Sequence, residues 1–503
     1  MKTESLFCRR NQIVALAALA AFTMLVRGGA LLVWGGNLAR DTDAYLEIAR
    51  NLSEGLGYSL GQPPHPTAFR PPLYPVVVAA LFTMGAGGWA IGILHLALAV
   101  GTVLLTFKIG NRLGCANYSL YLSRGRLRYL PDLIPRANLS FLAAQSILAA
   151  VLVAVDPILL QYTAQAMTET VCTFLVALWL WLAVDDTGGT AAPSPPSHPG
   201  SRRTALNGVL TGAAFGLCAL CRPTFLAFAG LALAWWIGQI LWAGDGTCPA
   251  IAHRVLSPSR GRLRHLPYRP SRAYVSFLAV ECLTALKRHG PVMIGTILVL
   301  LPWTIRNSIV IGKPIPTTTH GGYTLLLANN PVFYDQVIAK PWGTTWEGAS
   351  LRDWQQELEA RMSREVPPIQ GEVARDAWMY SQAWKNIRAE PRLFLRACLW
   401  RIARFWDVVP RGPHVSRLPR PALWLIGAFY ALVLGSALLG IWWIGRYAIC
   451  QWLPLLGLLV AVGLVHTVYW TDMRMRAPLT PMIALLSAQG CRWLISVKQR
   501  RSE

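Results

Sequence analysis

Ten stretches of this chain are apolar for close to the twenty residues that a helix needs to cross a bilayer. They run 12–34, 89–107, 137–156, 169–184, 206–220, 224–243, 290–305, 421–443, 449–470 and 479–495. In lipid, every backbone N–H and C=O must be paired within the segment or within a closed barrel. Runs of this length are helical, so the expected class is all-α: a polytopic helical membrane bundle. Composition agrees. The chain is 54% hydrophobic and 14% charged, where a soluble protein carries about 25% charge. The first run follows Lys2, Arg9 and Arg10 and passes Arg27 to reach Trp34. That is long enough to span, so an uncleaved first helix is expected rather than a removable signal.

Basic residues set the expected orientation. With the N-terminus inside, and 73–86 dipping into the bilayer without crossing, the inside segments are 1–11, 108–136, 185–205, 244–289, 444–448 and the C-terminal tail. Counting Arg492, they hold 24 of the 47 basic residues but only 7 of the 24 acidic ones. The net charge of +23 therefore reads as topology and attraction to anionic membrane lipids. Nucleic acid is not an expected partner, because no binding module accompanies the charge. Of the ten cysteines, only Cys398 falls clearly in an external loop, which argues against a disulfide framework. Cys218 and Cys221 have redox-motif spacing but lie in an apolar run without a second pair. Packing is the expected role.

Three parts are expected. Residues 1–305 form a transmembrane module with an external loop at 35–72 and cytoplasmic insertions at 116–136, 188–201 and 250–272. Residues 306–420 form an external segment, and 421–503 the last helices. Within the insertions, SRGRLRYLP at 123–131 returns as SRGRLRHLP at 259–267, and RANLSFLA at 136–143 returns as RAYVSFLA at 272–279, with one offset. Their surroundings do not repeat, so this is no solenoid. In the external segment, charged helical stretches are expected near 350–365 and 371–390. At 391–406, Leu393, Leu395, Leu399, Ile402, Phe405 and Trp406 form a broad apolar stripe beside Arg396, Arg401 and Arg404. A helix lying on the bilayer surface has this pattern.

The unusual polar residues fall on the external side. Asp41, Asp43, Tyr45 and Arg70 occupy the first loop, and Glu169 opens a helix. Arg222 tops a helical hairpin, and Arg306 and Asn307 end a span. His320 precedes two glycines, and Asp472, Arg474 and Arg476 precede the last span. Ionisable groups at a membrane surface are expensive and mark function. Carboxylates and guanidiniums together can bind a phosphate and activate a hydroxyl. Snorkelling or a salt bridge explains any one arginine equally well; the set is more informative than its members.

Five blocks carry a resemblance when read in order. They are DTDAYLEIARNLSEGLGY with FRPPLYP, DPILLQYTAQAMTET, GVLTGAAFGLCALCRPT, PWTIRNSIVIGKPIPTTTHGGYTLLLANNP and DMRMRAPLTP. Together they resemble the GT-C glycosyltransferases, in the branch of the dolichyl-phosphate-mannose protein mannosyltransferases and the bacterial aminoarabinose transferases (family 39-like). The resemblance spans nearly the whole chain outside the insertions. It implies a helical bundle with juxtamembrane helices in the first external loop. It also implies a site facing away from the cytoplasm, in a bacterium the periplasm. It further implies transfer of a sugar from a polyprenyl-phosphate donor to a glycan, lipid or protein acceptor. By resemblance, the catalytic base maps to Asp41, with Asp43 the competing position, and the second-loop acid maps to Glu169. The paired second-loop acids of the related metal-using oligosaccharyltransferases are not present, so neither a metal nor another cofactor is expected.

On that basis Asp41 takes the acceptor proton and transfer inverts the sugar carbon. Arg70, Arg222 and Arg306 are expected to contact phosphate, with Arg474 and Arg476 behind them and Arg27 a weaker candidate. His320 is a candidate contact to donor or acceptor. A transporter would place its charges at the midplane on broken helices, whereas these gather at one face. A non-catalytic lipid-binding protein is the other alternative.

Overall fold

The computed structural model describes residues 2–123, 137–186, 202–243, 272–412, 418–447 and 449–502. The insertion 188–201 lies outside the described residues, as do 116–136 and 250–272 apart from helix ends at 116–123 and 272. The repeated blocks therefore fall largely outside the description as well.

The architecture is a helical bundle whose only strands, among the described residues, are the two-residue pair Ser59–Leu60 (β1) and His65–Pro66 (β2). Helix α1 (Lys2–Trp34) leads through a 3-10 turn to α2 (Tyr45–Ser53), the β1–β2 hairpin and α3 (Leu73–Thr83). Eleven helical residues reach about 16 Å, roughly half of a hydrocarbon core, as a dip without a crossing requires. Next come α4 (Gly88–Ser123), α5 (Ala137–Ala154), α6 (Pro157–Thr163), α7 (Glu169–Asp186), α8 (Arg202–Cys221), α9 (Leu226–Ala243) and α10 (Arg272–Val310). The polar segment contributes α11 (Gly321–Ala328), α12 (Ala349–Arg364), α13 (Glu372–Ala389) and α14 (Pro391–Phe405). The chain ends with α15 (Arg420–Tyr447), α16 (Ile449–Val468) and α17 (Thr480–Ser502).

Each of the ten apolar runs lies on helix. Among the described residues, four helices, Asn11–Ala39, Gly88–Gly114, His289–Val310 and Arg420–Gly445, are long and apolar enough to cross alone. The pair α5–α6, bent by 52°, makes a fifth if counted as one span. This is an integral multi-pass membrane protein. Its bundle is held by close backbone approaches at small residues, as lipid-embedded helices require. A Cβ on Gly490 of α17 would stand 1.9 Å from the Ser436 carbonyl oxygen of α15, and one on Gly440 2.0 Å from that of Leu486. Gly490→Ala must push two backbones apart, and overpacking of this kind costs about 1–3 kcal/mol. A lowered unfolding midpoint in detergent, with Gly463→Ala in open space as the silent control, checks this.

The bend between α5 and α6 has an identifiable cause. Pro157 cannot donate an amide, and Asp156 caps α6 by accepting from the Leu159 N–H at 2.9 Å. The last carbonyls of α5 are thereby left without amide partners. Arg27 supplies them: Nε donates to Ala154 O at 2.8 Å, Nη2 to Val153 O at 2.6 Å, and Nη1 to Thr163 Oγ1 at 3.1 Å. Arg27 is thus a helix-break cap inside the bundle.

The polar segment has its own packed interior. Phe333, Tyr334, Val337, Ile338, Trp346 and Ala397 form one cluster, and Leu325, Leu326, Leu358, Met362, Met379 and Ala383 a second. Helix α14 corrects one detail of the sequence reading. Its outward stripe is Leu395, Leu399, Ile402 and Trp406, while Phe405 and the side chains of Arg401 and Arg404 are buried on the opposite face. Arg401 donates to Thr467 O at 2.6 Å and Ala328 O at 2.7 Å, the terminal turns of α16 and α11. Arg404 and Arg411 meet Asp407 at 3.2 and 2.7 Å. Of the three arginines read as the polar flank of a surface helix, Arg396 is exposed, Arg401 is an interior cap and Arg404 is buried in an ion pair with Asp407.

Candidate active site

The candidate cluster is built from the first loop, the start of α7, the end of α8 and the 3-10 turn Met473–Leu479. Asp43 and Arg70 are joined twice: Arg70 Nη2 meets Asp43 Oδ1 at 3.1 Å, and Arg70 Nε donates to the Asp43 carbonyl at 2.8 Å. The same guanidinium lies 5.4 Å from the Tyr45 ring and 4.7 Å from the Phe69 ring. Opposite stands Arg474, whose Nη1 is 3.9 Å from Asp43 Oδ2 and whose Nε is 3.3 Å from Asp472 Oδ2. Asp472 also accepts the Arg474 N–H at 2.9 Å, which ties the start of the 3-10 turn to the acid.

Glu169 and Arg222 form the second part. Glu169 is 0% exposed and meets Arg222 Nη2 at 2.6 Å. Arg222 also donates from Nε to Thr168 Oγ1 at 3.1 Å and contacts Met475 Sδ at 3.8 Å, so this pair touches the same turn that carries Arg474. Burial is the largest influence on both cations and works against them, but the surrounding groups together, Glu169 foremost for Arg222 and Asp472 foremost for Arg474, outweigh it and hold them protonated. Tyr45, buried where the two parts meet, has its phenol pushed up to about 12 by burial, against the pull of Arg70. Three carboxylates and three guanidiniums thus balance. Of the cations, Arg474 is the most exposed, at 27%, and its link to Asp43 is the longest.

The other expected site residues are placed differently. Asp41 is exposed and, among the described residues, pairs with no arginine; its Oδ2 accepts the Glu47 N–H at 2.7 Å, near the start of α2. The Tyr74 hydroxyl nevertheless lies within electrostatic reach of Asp41, Tyr45 and Glu169 alike. Arg306 uses both terminal nitrogens on backbone and a neighbour: Nη2 donates to Tyr58 O at 2.8 Å, and Nη1 to Thr67 O at 2.7 Å and Asn307 Oδ1 at 2.9 Å. Asn307 in turn donates to Ile315 O at 2.8 Å. This pair clasps the β1–β2 loop. Arg476, 1% exposed, donates to Phe405 O at 2.9 Å and Asp407 O at 2.6 Å and stacks 4.5 Å above Tyr430. Arg306 and Arg476 therefore satisfy main-chain carbonyls and do not join the carboxylate-paired cluster. His320 sits one ring away from it, in contact with Phe69.

Glu372 was not anticipated. From the first residue of α13 it accepts from the Ala68 N–H at 3.0 Å and Thr67 Oγ1 at 2.7 Å, and also bonds Thr319 Oγ1. It fixes the backbone on both sides of the cluster, just before Phe69–Arg70 and just before His320. Its partners lie 305 and 53 residues away, so no local pattern could announce it. Cys172, Cys218 and Cys221 are free and buried in the bundle. Among the described residues, no three of His, Cys, Asp and Glu are grouped as metal ligands.

No protein-family model and no curated protein sequence matches this chain. Some solved structures align with it over most of its length. The archaeal oligosaccharyltransferase AglB from Archaeoglobus fulgidus, in complex with an inhibitory peptide and a dolichol-phosphate, aligns over 97% of this chain and 51% of its own, with 14% identity and a TM-score of 0.46. This chain thus spans about half the length of that enzyme. ArnT from Cupriavidus metallidurans bound to undecaprenyl phosphate aligns over 95% of this chain and 79% of its own, with 14% identity and a TM-score of 0.33. Its apo state gives 94%, 78%, 15% and 0.31.

Proposed function

We propose that this protein is a membrane glycosyltransferase of the GT-C type, moving a sugar from a polyprenyl-phosphate donor to an acceptor hydroxyl. One observation carries the reading. Asp43, Glu169 and Asp472 are each paired with a guanidinium, Arg474 links Asp472 to Asp43, and the exposed Asp41 lies two residues before Asp43 in the same loop. A polyprenyl tail belongs in lipid, and its phosphate needs cations at the end of the bundle where the tail emerges.

The roles follow from the chemistry. The acceptor oxygen attacks the anomeric carbon as the bond from that carbon to the phosphate oxygen breaks. The electron pair leaves on the lipid phosphate, the sugar carbon inverts, and the acceptor proton passes to Asp41. Fixed guanidiniums stabilise the charge that grows on the leaving phosphate. Arg474 is the first candidate for that contact, because it is the most exposed and most loosely paired. Arg70 and Arg222 are held to Asp43 and Glu169 and flank it. Asp43 holds Arg70 in position and leaves the base role to Asp41, whose second oxygen accepts no hydrogen bond among the described residues. Arg306, Asn307 and Arg476 serve as scaffold.

The test is turnover. Purified full-length protein in detergent is given undecaprenyl-phosphate-linked sugars with cell-envelope acceptors, and free undecaprenyl phosphate is measured by mass spectrometry. Release dependent on protein and acceptor is expected. A panel of hexose and pentose donors with no release above the protein-free control would overturn the proposal.

A further inference from the structure

His320 has a feature that phosphate binding does not use. Its ring is held on two sides, edge to face against Phe69 with centroids 4.4 Å apart, and stacked on Tyr323 at 5.1 Å. Tyr323 is itself fixed, accepting a hydrogen bond from Gln355 at 2.7 Å. The preceding residue, Thr319, donates its N–H to Ala68 O at 3.0 Å and is bonded to Glu372. The Phe69 ring also carries the Arg70 guanidinium at 4.7 Å. One aromatic ring thus separates His320 from the Asp43–Arg70 pair.

Burial, with Arg70 adding to it, pushes the imidazole well below the usual histidine range, so the ring is neutral at physiological pH. A neutral imidazole has one N–H and one bare nitrogen. Among the described residues, Nδ1 is buried and has no partner, while Nε2 is not closed off in this way and makes no hydrogen bond. Orphaned buried N–H groups are rarer than under-satisfied acceptors. The proton therefore belongs on Nε2, which makes the ring a rigid, uncharged donor. Three guanidiniums already stand by for phosphate. A neutral, oriented N–H is suited to a hydroxyl oxygen.

Resting on the glycosyl-transfer reading, we propose that His320 is a specificity-determining residue whose Nε2–H donates to a hydroxyl oxygen of the transferred sugar. A site built around such a bond discriminates strongly against a sugar that cannot make it.

Two variants of the full-length protein separate this role from packing. His320→Phe keeps the aromatic stack and removes the donor, whereas His320→Gln keeps an N–H donor and loses the ring. Each is assayed for affinity to bare undecaprenyl phosphate and for kcat/KM with the sugar-loaded donor that the wild type consumes. An unpaired polar contact of about 1–3 kcal/mol corresponds to a loss of roughly 5- to 150-fold in kcat/KM for His320→Phe. Affinity for undecaprenyl phosphate is expected to hold within about twofold, and His320→Gln to recover most of the loss. His320→Phe at wild-type kcat/KM overturns the proposal, as does His320→Gln remaining as impaired as His320→Phe. An equal loss of affinity for bare undecaprenyl phosphate overturns it too, since the contact then belongs to phosphate. If the wild type consumes no lipid-linked sugar, the glycosyl-transfer reading fails and this proposal falls with it. If the wild type is active and His320→Phe matches it, only this proposal fails.

Discussion

Asp41→Asn is expected to slow the transfer step by about 10²–10⁴-fold, the usual contribution of a positioned general base, while the protein still folds and inserts. The structural role of Asp41 is to accept the Glu47 N–H at 2.7 Å, and an asparagine carbonyl oxygen can accept the same bond. What the amide cannot do is take a proton. The loss should therefore appear in the single-turnover rate and leave donor affinity nearly unchanged. Asp43→Asn is expected to behave differently. It removes the negative charge that Arg70 meets at 3.1 Å and Arg474 at 3.9 Å, so donor binding and KM should change first. If Asp43→Asn is the variant that abolishes chemistry and Asp41→Asn is active, the base moves by two residues and the mechanism stands. If both are fully active, the catalytic account fails.

The largest stability effect is expected from Arg222→Met. Glu169 is 0% exposed, and its ionic partner at 2.6 Å is Arg222. Its second oxygen is buried and has no hydrogen-bond partner. Removing the guanidinium leaves a desolvated carboxylate without its direct ionic partner, and breaking a buried pair from one side costs about 3–5 kcal/mol. Glu169→Gln should cost less, because Arg222 keeps its bond to Thr168 and its contact with Met475 and its side chain is 14% exposed. The double variant should recover part of the loss, since replacing both charges removes the uncompensated one. Unfolding in detergent measures all three. Equal and additive losses in the two single variants would show that the pair is not coupled.

Much of the membrane architecture was legible because its signals are local. An apolar run of twenty residues is helical in lipid wherever it lies, and each run singled out in the sequence lies on helix. The charged stretches near 350–365 and 371–390 are also helices, α12 and α13. The site was legible in part. Asp43, Tyr45, Arg70, Glu169, Arg222, Asp472 and Arg474 do come together, whereas Arg306 and Arg476 were grouped with them and belong elsewhere. Helix α14 shows why. A stripe of leucines beside arginines reads as a surface helix with a polar flank. In the fold, Arg401 turns inward to the carbonyls of Ala328 and Thr467, and the leucines face out. Periodicity reports that two faces differ; in a membrane protein it does not report which one is buried.

Local sequence alone decided that this chain is a bundle of membrane helices with a polar segment before its last spans, because hydropathy and helical period act over one segment at a time. The tertiary structure alone decided what each guanidinium does. A desolvated arginine is satisfied equally by main-chain carbonyls at a helix end or by a carboxylate, and the choice depends on what lies opposite. For Arg27 that is Ala154, 127 residues away; for Arg306 it is Tyr58, 248 away. For Arg222 it is Glu169, across a different helix. Only the folded chain brings such partners within 3 Å.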